Sequence, residues 1–233
     1  MKGSIIQPLF FPWAGYFHLI IRSEIFIFLD DAQFKKTWCA RNKILIEGRE
    51  KFINMQLMKQ PQVTNINERK FYDFNQDFDN LKNTIFNAYR HNKFFSNIEE
   101  LFFEIDKDLI SVNLSEFNIY FIKRISKLMN IKTIFHQSSN LNINKKRSEK
   151  LIDLCKKFKI NFYLSPEGSR EYMEYDNFKT KFNGIIKFNN FFYKDYEQNY
   201  NGKFQSHLSI LDLISNMSWQ DCFNYLYCKE IKY

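Results

Sequence analysis

Two spacings organise the apolar positions of this chain. Near its start, Ser4-Ile5-Ile6-Gln7 is short, apolar and partly β-branched. Pro8 ends it, because proline holds Gln7 extended and cannot continue a strand ladder. A loop through Pro12 and Trp13 leads to Gly15, which opens a helical stretch from Tyr16 to Ser23. Ile25-Phe26-Ile27-Phe28-Leu29 follows as an unbroken apolar run of strand length and stops at Asp30-Asp31. Such a run suits a strand covered on both faces, as in a parallel sheet. The first third therefore predicts strand, loop, helix and strand, the order of a right-handed βαβ crossover. Residues 43–47 and 51–57 read as two strands of a hairpin around Gly48-Arg49-Glu50.

The spacing then becomes helical. Phe78, Leu81, Ile85 and Tyr89 share a face; so do Ile98, Leu101, Phe102 and Ile105, then Leu114, Phe117, Phe121, Ile125 and Leu128. A second α/β stretch begins with a strand over 131–136. Ser148 reads as the N-cap of a helix carrying Leu151, Leu154, Cys155 and Phe158 on one side. Residues 161–165 form another strand, and a helix starts within 168–175. Residues 185–200 are aromatic and Asn-rich without clear periodicity, and helices over 208–214 and 219–227 close the chain. The fold class is α/β: a parallel or mixed sheet of Rossmann-like type with a helical middle region. Residues 1–233 are expected to form one domain, with 70–130 as a helical insertion or subdomain.

Composition narrows the class. With 233 residues and 45% hydrophobic positions, the chain can bury a substantial core without disulfide or metal staples. An aromatic share of 18% argues against disorder, and 6 Gly with 4 Pro exclude collagen-like and linker-like chains. No apolar run approaches the ~20 residues that span a bilayer. Gln7, Pro8, Pro12 and His18 interrupt the N-terminal apolar stretch, so it reads as part of the fold and not as a secretion signal. Cys39, Cys155, Cys222 and Cys228 lack C-x-x-C spacing, which fits a reduced, cytoplasmic compartment. The net charge is +8. Lysines dominate it and are spread along the chain; only Lys145-Lys146-Arg147 forms a cluster. This favours an anionic small-molecule partner over nucleic acid.

In an open parallel sheet, ligands bind beyond the carboxyl ends of the strands. Three predicted strand ends carry polar residues: Gln7-Pro8, Asp30-Asp31, and Ser165-Pro166-Glu167-Gly168-Ser169. Paired carboxylates at a strand end can hold a metal, orient a hydroxylated substrate or serve as a general base, or they can simply terminate the strand. Strand alternation would turn only one of Asp30 and Asp31 into a site. Arg41 offers a fork for carboxylate or phosphate, and Asn42 both donates and accepts. Gly168 permits a tight turn whose N–H groups attract anions, but one glycine satisfies neither a P-loop nor a dinucleotide fingerprint. Trp13 and Tyr16 lie in or beside a loop facing that edge, where aromatic rings can stack on a sugar or base. The histidines, His18, His91, His136 and His207, show no metal-binding spacing, and no G-x-S-x-G elbow supports a serine nucleophile.

Three early segments carry a resemblance: Ile6-Gln-Pro-Leu-Phe-Phe-Pro-Trp-Ala-Gly-Tyr-Phe17, Phe28-Leu-Asp-Asp-Ala-Gln-Phe34 and Ala40-Arg-Asn-Lys43. Three later ones support it: Arg147-Ser-Glu-Lys-Leu-Ile-Asp-Leu-Cys155, Tyr163-Leu-Ser-Pro-Glu-Gly-Ser169 and His207-Leu-Ser-Ile-Leu-Asp-Leu213. Together they resemble the WbqC-like family of bacteria over nearly the whole chain. Members are often encoded among genes for O-antigen or other surface polysaccharides, and a glycine-transferase role acting on an amino sugar has been suggested for them. The matching positions are Gln7, Pro8, Pro12, Gly15, Tyr16, Asp30, Asp31, Gln33, Arg41, Asn42, Ser165, Gly168, Ser209 and Asp212. Ile6 stands where many members carry His, Ser169 where a second Gly is usual, and Ser206 where Pro is common.

The resemblance implies a cytoplasmic transferase that acylates a nucleotide-linked or lipid-linked amino sugar, with glycyl as one candidate acyl group. Asp30 or Asp31 would be the base or orienting carboxylate. Arg41 and Asn42 would hold a carboxylate or phosphate, the Ser165–Ser169 turn a further anionic group, and Trp13 or Tyr16 would line the sugar or base. Gln7, Gln33 and Asp212 complete the expected substrate-binding set. The donor stays open between an acyl thioester, an aminoacyl adenylate and a charged tRNA, and no cofactor is indicated. A nucleotidyltransferase-like enzyme or ATP-dependent ligase, and a non-catalytic sugar-nucleotide-binding subunit, are the alternatives.

Overall fold

Strand alternation sorts the core into two layers. In the computed structural model, which describes residues 1–105 and 112–227, the strands are β1 (Lys2–Ile6), β2 (Ile25–Phe28), β3 (Arg41–Ile46), β4 (Arg49–Asn54), β5 (Ile134–Gln137), β6 (Phe162–Ser165) and β7 (Ile185–Phe188). β5, β2, β1, β6 and β7 form one sheet in that order, every neighbouring pair parallel. On β2, Phe26 and Phe28 enter one apolar cluster while Ile25 and Ile27 enter the other. A strand covered on both faces needs this unbroken apolar run.

The first layer holds α1 (Ala14–Ile21), α2 (Phe74–Tyr89), α3 (Phe95–Phe102), α4 (Leu114–Leu128), α8 (Ile210–Asn216) and α9 (Trp219–Tyr227). The second holds α5 (Arg147–Lys157), α6 (Arg170–Tyr175) and α7 (Phe178–Lys181). α4 shows why its segment is helical. Asn113 and Glu116 form a reciprocal capping box at its start, and Phe117, Phe121 and Ile125 present one apolar stripe. No helix among the described residues is long and apolar enough to cross a membrane.

Several sequence expectations shift. The α/β class holds, and the sheet is parallel throughout. The hairpin is a separate two-stranded ribbon, and its turn is Glu47-Gly48, not Gly48-Arg49-Glu50. Both turn residues have positive φ, 49° and 73°, as a two-residue hairpin turn of matching twist requires. The strand expected over 131–136 begins at Ile134, because the preceding Thr133 is tied by its hydroxyl to the carbonyls of Ile20 and Ser23. Lys146, not Ser148, occupies the N-cap position of α5, without a side-chain cap bond; Ser148 lies inside the first turn and donates to Asp176 at 2.7 Å. The unassigned 185–200 stretch supplies β7, whose exposed and half-buried positions gave no strong pattern. Cys39, Cys155 and Cys222 are buried and unpaired, and Cys228 lies outside the described residues.

The segment between β1 and α1 runs through the interior. Phe10 and Phe11 are buried, with Phe11 at φ 38°, and their rings pack on Phe117 and Phe121 of α4. Its backbone carbonyls find side-chain partners. Asn42 Nδ2 donates to Phe10 O and Phe11 O, Asn118 Nδ2 to Pro8 O, and Ser209 Oγ to Phe11 O. Asn42→Ala would leave Phe10 O unmatched and Phe11 O with Ser209 alone, and should lower unfolding free energy by about 1–3 kcal/mol in a denaturant titration. An unchanged midpoint would refute that role.

Candidate functional site

The carboxyl ends of β1, β2, β5, β6 and β7 lie along one edge, and the strand order reverses between β1 and β6. Open α/β sheets form their ligand crevice at such a reversal. The three strand ends singled out from the sequence do share this edge.

β2 ends at Phe28, so Asp30 and Asp31 occupy a turn and escape strand alternation. Their carboxylates are neighbours: the Ser138 hydroxyl donates to both. Asp30 is only 1% exposed and accepts further bonds from Ser139 N at 2.9 Å and Ser139 Oγ at 2.6 Å. It straps the end of β2 to the turn that follows β5. Asp31 keeps 22% of its side chain accessible and pairs with Lys150 Nζ from the first turns of α5. The result is a part-open carboxylate held from two directions, beside an ammonium, on the ligand-facing edge. Paired and partly desolvated groups of this kind suit proton transfer or the orientation of a polar substrate.

Further along the edge, Ser165 and Ser169 are buried with their hydroxyls bonded to each other, while Gly168 faces open space. Glu167 and Arg170 line a cleft of about 550 Å3 with Ile186, Lys187, Phe188 and Asn190. The Arg170 guanidinium forks onto Glu167, which holds the Glu167 carboxyl below its usual range, and lies 3.9 Å over the Phe188 ring.

The remaining expected residues are placed as follows. Tyr16 is buried and donates to Gln7 O at 3.0 Å; burial pushes its hydroxyl well above the usual phenol range. Gln7 takes the Cys39 thiol on its side-chain oxygen. Trp13 lies so close over Gly15 that a Cβ there would sit 1.9 Å from the ring, and Phe191, Tyr193 and His207 surround it. Asn42 is committed to the loop carbonyls, Gln33 bonds Gln62 O, and Arg41 stacks over Phe52 at 4.4 Å on the ribbon. The structure thus brings Asp30 and Asp31 together, and Ser165 with Ser169; Arg41 stands apart on the ribbon and Asp212 in the first helical layer. Ser138, Ser139 and Lys150 escaped the sequence reading. Applying the strand-end rule to β5 would have reached the two serines, since they follow its last residue. Lys150 carried no such signal. Among the described residues, no three or more His, Cys, Asp or Glu side chains gather as a metal site would need.

Asp212 is buried on α8, where Tyr196 OH at 2.7 Å and Gln198 Nε2 at 2.8 Å donate to it. Burial, which outweighs these bonds, pushes its carboxyl up from 3.8 to about 6. The folded chain therefore holds a proton that the unfolded chain has released between those values, so this group's contribution to stability falls as pH rises through them. Asp212→Asn removes the titration. It should gain on the native chain by about 2–3 kcal/mol between pH 4 and pH 7 in paired thermal melts. A pH-independent difference would contradict the buried-carboxyl account.

The whole arrangement has relatives. A protein of Mycobacterium tuberculosis, the uncharacterized protein Rv1507c, is 26% identical over 234 residues, covering 98% of this chain and 99% of its own length. No solved structure matches. The WbqC-like protein family matches residues 7–222, from the residue that follows β1 through the remaining strands and into the last helix. The chain belongs to the WbqC-like protein family.

Proposed function

We propose that the chain is an amino-sugar-modifying transferase of O-antigen or other surface-polysaccharide assembly, forming an N-acyl and most simply an N-glycyl linkage. The substrate is a nucleotide-linked or lipid-linked amino sugar bound across the carboxyl edge of the sheet. The observation that carries this reading is Asp31: a part-exposed carboxylate, oriented by Ser138 and Lys150, at the polar edge of a parallel sheet. Family membership supports the pathway.

In this reading the amine of the sugar attacks the acyl carbonyl of an activated donor. A C–N bond forms, the acyl–oxygen or acyl–sulfur bond of the donor breaks, and the proton shed by nitrogen passes to Asp31 and on to the leaving group. Asp30 is a positioning residue, since its oxygens are taken up by Ser138 and Ser139. The Ser165–Ser169 turn and Arg170 supply the wall that meets an anionic group, and the half-buried Gln7 and Trp13 shape the opposite side.

Asp31→Asn should cut acyl incorporation into a nucleotide-linked amino sugar by about 10²–10⁴-fold while the chain still folds, at a lower melting temperature because Lys150 loses its counter-charge. Native protein should also be stabilised by that sugar, by about 2.7 kcal/mol at ~100-fold the dissociation constant. Full activity in Asp31→Asn would remove it as the base. A native protein that neither binds the sugar nor incorporates acyl groups would overturn the transferase reading.

A further inference from the structure

Much of the chain's net positive charge falls in the stretch that contains the ribbon. Residues 34–72 hold nine Lys and Arg against three Glu, so +6 of the net +8 lies in this one segment. Within it, the chain from Phe52 to Met58 alternates strictly. Ile53 and Met55 are buried and Leu57 half-buried, whereas Phe52, Asn54, Gln56 and Met58 are exposed. Residues paired across an antiparallel ladder project to the same side. Lys43 pairs with Phe52 and Arg41 with Asn54, which puts both cations on the exposed side. On the other flank Leu57 bridges the buried Phe71, while Met58 N bonds Lys70 O and Tyr72 N bonds Gln56 O. Lys70 and Tyr72 therefore join the same outer face.

That face combines Arg41, Lys43 and Lys70 with Phe52, Met58 and Tyr72, whose exposures are 48%, 44% and 67%. Of the acidic groups near it, Glu50 pairs with Lys43 at 2.6 Å, and Asp77 accepts from Gln56 N at 2.8 Å. We propose that this ribbon face is a docking surface for an anionic lipid bilayer. Basic side chains meet headgroup phosphates while ring edges and a thioether rest at the interface, and each such Lys or Arg adds appreciably to binding. Nucleic acid fits less well. Base stacking needs an open ring face, and the Phe52 ring is covered by Arg41 at 4.4 Å and flanked by Lys43 at 5.9 Å.

The same segment braces the candidate site, with Ile66 N bonded to Ala32 O and Asn67 N to Asp30 O, both at 3.0 Å. The segment that carries the ribbon is thus tied to the turn that carries Asp31. The docking surface stands independently of the transferase reading, though it favours the lipid-linked form of the acceptor.

Co-sedimentation of the full chain with phosphatidylcholine vesicles, with and without phosphatidylglycerol, tests the inference. The protein should pellet with the anionic vesicles, stay in solution with the zwitterionic ones, and be released by raised salt. Met58→Ser/Tyr72→Ser and Arg41→Glu/Lys70→Glu change exposed side chains, so both should melt like the native chain. Each should reduce anionic-vesicle partitioning by about fivefold or more. Absence of anionic-vesicle binding, equal binding to both vesicles, or binding untouched by both variants would overturn the proposal. So would tight binding of single-stranded RNA that the same variants abolish while vesicle binding persists. Neither acyl-transfer result bears on these outcomes.

Discussion

The architecture depends on keeping the backbone of the β1–α1 loop hydrogen-bonded in the interior. A buried irregular segment has no ladder to satisfy its carbonyls, and each unmatched one is costly. Here the partners come from far along the chain: Asn42 on the ribbon, Asn118 on α4 and Ser209 before α8. Backbone bonds add to them, Phe10 N to Trp38 O and Ile210 N to Pro12 O. One loop therefore ties the ribbon, the helical layer and the sheet into a single arrangement. Phe11 can hold a positive φ because Asn42, Ser209 and the rings around it fix the loop from every side.

The same logic divides labour between the two aspartates. Asp30 meets three serine donors and gains its bonds by joining β2 to the turn after β5. Asp31, one residue on, is left with Ser138, Lys150 and an opening to solvent. A buried, saturated carboxylate gives rigidity; its part-open neighbour inherits that rigidity without losing access. Rigid support of this sort is what places a reactive group well enough to act. Asp212 shows the contrasting case, a carboxylate so enclosed that burial outweighs its two donors.

Much of this was legible from residue order. The unbroken run 25–29 announced a strand covered on both faces, Pro8 marked where β1 stops, and helical spacing from Phe78 to Leu128 announced the helices of the middle region. These features are local: periodicity, proline geometry and capping act within a few residues. β7 was missed because its residues alternate between exposed and half-buried at the sheet's edge, which leaves a weak apolar signal. The polar strand ends were also readable, since the carboxyl-edge rule converts a strand boundary into a candidate site.

What residue order determined was the identity of the elements and the polar residues that end them, because those follow from short-range spacing and backbone chemistry. Tertiary structure alone decided which polar residues meet. Ser138 and Lys150 reach Asp31 from more than a hundred residues away, and no local spacing pairs either of them with it. It likewise decided that Asn42 serves a loop while Arg41, beside it, faces outward over Phe52. It also brought Arg41, Lys43 and Lys70 to one face, because strand register turns sequence separation into a shared side.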